Sequence, residues 1–156
     1  MATEDKTLKI VVDDGAVKVP VYNTHDVEVG MFYFHPTDIG IVQRYNKFAE
    51  DFPKILEPLE HVSINPDGTG ESDEDTQALQ AAEKRLYEAC DYMFGGNMSE
   101  AFFGDMHPFS PVNGLFYCEN VLNSVGSFIQ MQFDSEVKKI NARVSKYTKQ
   151  YQRKRK

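Results

Sequence analysis

From Tyr87 to Phe133 the chain reads YEACDYMFGGNMSEAFFGDMHPFSPVNGLFYCENVLNSVGSFIQMQF, dense in aromatics and methionines and broken by turn formers between two helical patterns. That much apolar surface in one stretch has to be buried, in a core or against a partner. On its upstream side Leu79, Ala82, Leu86, Cys90 and Met93 fall on one face of a helix predicted from about Thr76 to Phe94, which Gly95-Gly96 stops. Ser99 and Glu100 begin a short helix that ends at Phe103, with Glu100 suited to the first turn. Residues Gly104 to Gly114 hold two prolines and two glycines and read as a turn-rich connector whose Met106 and Phe109 need burial. A long last helix follows from about Leu115 to Tyr151. Its stripe is Val121, Val125, Phe128 or Ile129, Phe133, Val137, Ile140, Val144, Tyr147 and Tyr151. From Val137 onward the steps are three, four, three, four, the spacing of a coiled-coil seam or of a helix laid in a groove. At about 1.5 Å per residue, its roughly 37 residues span about 55 Å, longer than a domain of this size is wide, so the end projects.

The N-terminal part has a different period. Leu8, Ile10 and Val12 alternate, Asp13-Asp14-Gly15 supplies a turn, and Val17, Val19 and Val21 alternate again, which predicts a hairpin. The strand formers of Val27 to Phe34 add a third strand, and Pro20 places its own strand at an edge. Thr37 or Asp38 caps the helix that follows. Ile41, Val42, Tyr45, Phe48, Phe52, Ile55, Leu56 and Leu59 make that helix amphipathic, with Pro53 kinking or splitting it and Pro58 marking its end. Ser63 to Asp75 reads as a mobile, solvated acidic loop that does not keep the ligand register of a calcium-binding hand. The fold class expected is α+β, a small N-terminal antiparallel sheet of about three strands followed by a predominantly helical domain with a long C-terminal helix. All 156 residues form a single domain: hairpin and sheet in 1–35, helical core in 36–133 with the acidic loop 63–75, and a basic helical tail in 134–156.

Composition supports burial of a substantial core. The chain is 41% apolar, with 11 Phe and 8 Tyr and no Trp, and a chain of this length buries about two-thirds of the surface it exposes when unfolded. Its charge is strongly divided. Residues 137–156 hold nine of the 17 basic residues and no acid, leaving eight basic residues against 24 acids before them, −16 against +9. Such a split suits a tail that touches nucleic acid, an acidic partner or the protein's own body, and docking on the body or on a neighbouring copy is favoured. Cys90 and Cys118 have no Cys-x-x-Cys or Cys/His partner and read as buried thiols of a reducing compartment. The N-terminus lacks a charged-then-apolar signal and no apolar run is long enough to span a bilayer, so a cytoplasmic location with no membrane partner is expected.

No motif specifies chemistry. His25, His35, His61 and His107 are far apart in sequence, with no His-x-x-x-His spacing, so no metal site is expected. Cys118 with His107 lacks an oxyanion-hole loop, and Glu100 with Asp105 is no better as an acid–base pair. Gly95-Gly96-Asn97 follows a helix, the wrong polarity for a phosphate cradle. The reading is non-enzymatic, with no catalytic residue and no cofactor. Candidate partner-binding residues are Phe102, Phe103, Met106 and Phe109 on the connector and Ile140, Val144, Tyr147 and Tyr151 on the helical seam. Lys146, Lys149, Arg153, Lys154, Arg155 and Lys156 are candidates for contact with nucleic acid or an acidic partner.

The segment DYMFGGNMSEAFFGDMHPFSPVNGLFYCENVLN, followed by KKINARVSKYT, resembles an uncharacterised family of small morphogenesis proteins of tailed phages and prophages of Gram-positive bacteria. The resemblance covers roughly Phe34 to Tyr147 and carries no functional residues, so it supplies a context and not a site. It implies a tail assembly chaperone or related morphogenesis factor, and the leading expectation is one that binds the tape measure or tail tube protein in the bacterial cytoplasm. The alternatives are a small virion or head–tail component that forms a homo-oligomer through the last helix, and a phage-encoded binder of nucleic acid or a host factor.

Overall fold

The computed structural model describes residues 8–155, and side chains among them except those of Tyr147, Gln150 and residues 151–155. The elements are β1 (Val17–Tyr22), β2 (Glu28–Phe34), α1 (Ile39–Leu56), a 3₁₀ turn (Glu57–Leu59), α2 (Asp73–Phe94), α3 (Met98–Phe103), β3 (Pro111–Val112), β4 (Leu115–Phe116) and α4 (Tyr117–Arg155). This is the α+β arrangement expected, a small antiparallel sheet near the N-terminus and then helices, the last of them 39 residues long.

The sheet has two strands where about three were expected. β1 and β2 pair antiparallel with Val17 opposite Phe34 and Val21 opposite Gly30. The link between them is closed by the Asn23 side chain, whose oxygen accepts from the backbone N–H groups of His25 and Val27 at 2.9 and 3.1 Å. Val17, Val19 and Val21 face the core, as their alternation requires. Residues 8–12, expected as the first strand, make no ladder and lie exposed, between 70% and 97% for Leu8, Ile10, Val11 and Val12. Both sheet edges explain this. On the β2 side, Asn97 of the α2–α3 link occupies the edge, its amide donating to the Met31 carbonyl at 2.8 Å and its oxygen accepting from the Tyr33 N–H at 2.9 Å. Since Tyr33 points its backbone groups away from β1, the alternation of the ladder turns those of its partner Lys18, and of Pro20, to the opposite edge, where Pro20 has no N–H to offer. The expected Asp-Asp-Gly turn does not form; the Asp13 and Asp14 carboxylates instead accept from the Gly15 and Ala16 N–H groups, and Asp14 bonds His35 at 2.7 Å.

α1 opens on Asp38, whose carboxylate accepts from the Gly40 N–H at 2.8 Å. That bond, helped by Arg44, holds the Asp38 carboxyl below its ordinary pKa. Pro53 was expected to kink or split this helix. Instead α1 runs unbroken to Leu56, because a proline one turn from the end removes a single bond, and the chain tightens into the 3₁₀ turn around Pro58. The acidic loop is also shorter than expected. Asp73, Glu74 and Asp75 are the first turn of α2, where negative charge meets the positive end of the helix dipole, and the Ser72 hydroxyl accepts from the Asp75 N–H at 3.1 Å. The remaining loop is closed by an Ile64–Gly70 bridge and by Asp67, which accepts from Thr69.

All five residues of the α2 stripe, Leu79, Ala82, Leu86, Cys90 and Met93, are buried, and Gly95 ends the helix in the left-handed conformation at φ 62°. They join one apolar cluster with Phe32 and Phe34 of β2, Phe48 of α1 and Val121 and Val125 of α4. Phe32 and Phe34 stack at 4.2 Å, and Phe94 meets both edge-on at 5.6 and 5.9 Å. Gly30 allows β2 to lie against α3, since a methyl there would overlap the Ala101 carbonyl. Among the described residues no charged or polar side chain is buried.

Candidate interaction surface

The connector residues expected to form one surface divide in two. Phe103 and Phe109 are core, 6% and 3% exposed, which corrects their assignment to a partner surface. Phe103 stacks on Tyr87 at 5.6 Å and stands edge-on to Tyr117, while Phe109 stands edge-on to Phe116 at 5.5 Å. The reason is the small ribbon β3–β4. Its turn is Asn113-Gly114, both at positive φ (53° and 81°), and it folds the connector back so that Phe109 is covered. Met106 remains 38% exposed and Phe102 half-buried.

These last two line a cleft of about 670 Å³ between the hairpin turn, the connector and the start of α4. Val21, Val29, Tyr117 and Val121 complete its apolar walls, and Asp105, Asn113, Asn120 and Ser124 supply a polar rim. The start of α4 is held rigidly beside it. Glu119 accepts from the Phe116 N–H at 2.8 Å, the Asn120 amide donates to the Val112 carbonyl at 3.2 Å, and the Tyr117 hydroxyl donates to the Phe102 carbonyl at 2.9 Å. Burial, with the Asp105 charge, raises the Tyr117 pKa, so its hydroxyl stays a donor. Tyr117, Asn113 and Asn120 were not expected in this surface. The Asn-Gly pair was the available sign that the connector is a hairpin.

The helical seam is the second surface. α4 packs through Cys118, Val121 and Val125, and then less tightly through Phe128 and Ile129. From Asp134 to Lys149 every described side chain is exposed, and Val137, Ile140 and Val144 are 40%, 49% and 51% open. Ile140 and Val144 thus lie where the sequence placed them, on a projecting helix. Lys146 and Lys149 are exposed on the same segment. Lys156 lies outside the described residues, as do the side chains of Tyr147, Tyr151, Arg153, Lys154 and Arg155.

The titratable groups near the connector are structural. The His107 ring accepts the Phe109 N–H at Nδ1, 3.1 Å away, which leaves Nε2 to donate to Glu83 at 3.0 Å. Glu83 also accepts from the Tyr87 hydroxyl at 2.8 Å, tying the connector to α2. Cys90 and Cys118 are buried free thiols, both with pKa raised by burial, Cys118 to about 12. Among the described residues no three His, Cys, Asp or Glu side chains are grouped to hold a metal ion, and no helix is long and apolar enough to cross a membrane. Comparison with family models, curated proteins and solved structures finds no match.

Proposed function

We propose that the protein is a non-enzymatic assembly factor that shields apolar helical surface on another protein. In the context implied by the resemblance it is a tail assembly chaperone for a tape measure or tail tube protein, acting in the host cytoplasm. One observation carries this reading: α4 continues past Phe133 with Val137, Ile140 and Val144 exposed in coiled-coil spacing. A helix with an uncovered apolar stripe gains stability by laying it against a second helix or in a groove. Holding a client this way needs no bond chemistry, only an affinity that assembly then overcomes. The cleft beside Phe102 and Met106 offers a second apolar foothold.

Co-expression with a tape measure or tail tube protein tests the idea. The full chain is expected to co-purify with the client, and Ile140→Asp with Val144→Asp to release it. A client held equally by that double variant overturns the reading. The same seam also suits a virion component that oligomerises, and presence of the chain in purified particles as a stable ring favours that role.

A further inference from the structure

The acids of the body are concentrated. Nine of the 24 fall between Glu50 and Asp75, with Lys54 the only lysine or arginine among them. The fold gathers this stretch at one end of the α1–α2 pair, where α1 closes and α2 opens. Glu57, Glu60, Glu71, Asp73 and Glu74 are exposed there, and among the described residues none of them forms an ion pair. Ile64, 49% exposed, lies at the start of the acidic loop, bridged to Gly70. The far end of α4 is the complement. Lys138, Arg143, Lys146 and Lys149 are exposed around the seam and likewise form no ion pair among the described residues.

Among the described residues the basic helix makes no ion pair with the acidic end of its own chain, and both sets of side chains are exposed. α4 is continuous to Arg155, and from Ser127 to that point the sequence has no glycine or proline at which a helix bends sharply. Two tails also suit each other poorly. After Glu136 the helix carries no acid, so a tail-to-tail seam has like charge along its length and no acid–base pair beyond that point to set its register.

We infer that the basic end of α4 docks on the acidic end of the α1–α2 pair of a second copy. Lys138, Arg143 and Lys146 meet Glu57, Glu60 and Glu71, and the apolar seam covers Ile64. The interface is heterologous, tail to body, so repetition builds an open chain or, where the rotation closes, a ring. It keeps the seam covered in the free protein. Because it needs no foreign partner, its failure leaves the assembly-factor reading standing, and the reverse.

Light scattering on the full chain at low and high ionic strength tests this, with two charge-reversed variants, E57K/E60K/E71K and K138E/R143E/K146E. All six side chains are exposed, and melting curves check that the variants fold. The expected result is a mass at least double the 17.8 kDa monomer at low salt, returning to that value at high salt. Each variant alone is monomeric, and mixing the two restores association, because each reversed surface finds its complement. A monomer at low salt overturns the proposal. So does association that survives reversal of the acidic end, which would make the contact tail to tail.

Discussion

α2 and the outer half of α4 carry the same apolar spacing and meet opposite fates. Leu79, Ala82, Leu86, Cys90 and Met93 are all buried, whereas Val137, Ile140 and Val144 stand open on a helix that has left the body. The difference lies in the surroundings and not in the code. The α2 stripe shares one cluster with Phe32 and Phe34 of β2, Phe48 of α1, Phe103 of α3 and Phe109 of the connector, while every described side chain after Phe133 is exposed. An apolar stripe therefore states a need for cover, and the rest of the fold decides whether the chain itself meets it.

The sharpest test of this contrast sets Phe109→Ala beside Ile140→Ala. Chemical denaturation should show a loss of about 3–5 kcal/mol for Phe109 and a change within about 0.5 kcal/mol for Ile140. A small effect at Phe109 would break the comparison by returning that residue to the surface. Next comes the approach of α3 to β2. Gly30→Ala puts a methyl onto the Ala101 carbonyl and should cost about 1–3 kcal/mol by forcing the two elements apart. Asn97→Ala leaves the Met31 carbonyl and Tyr33 N–H without their partner, a loss of about 1–3 kcal/mol by urea midpoint.

A smaller effect follows from the core thiol. Cys118 is raised from 9.0 to about 12, chiefly by burial, so folding favours its protonated form. Its contribution is intact below the ordinary thiol value and fades as pH rises from about 9 towards 12. Stability measured across that range should decline, and Cys118→Ala should flatten part of the decline. The smallest effect is expected for removal of residues 134–156, which at high salt, where the copies are separate, should shift the melting temperature by less than about 2 °C. A large shift would show that the projecting helix supports the body after all.

Helical periodicity was the legible part. The faces of α2 and α4 and the Gly95 stop were readable because each rests on spacing within one element. Strand assignment was not, since residues 8–12 and 17–21 alternate alike. Only the occupied edge at Asn97 and the missing donor of Pro20 separate the strand that pairs from the one that does not. The connector failed in the same way. Phe102 and Phe103 are neighbours on a six-residue helix, too short for a period to emerge, and one lines the cleft while the other is core.

By itself the sequence determined where helices run, which of their faces are apolar and how charge divides between body and tail. These follow from local spacing and composition. The tertiary structure decided which apolar faces are covered, that Phe103 and Phe109 belong to the core, and that the acidic residues gather where α1 closes and α2 opens. Burial and charge placement depend on neighbours distant in the chain, which no local pattern contains.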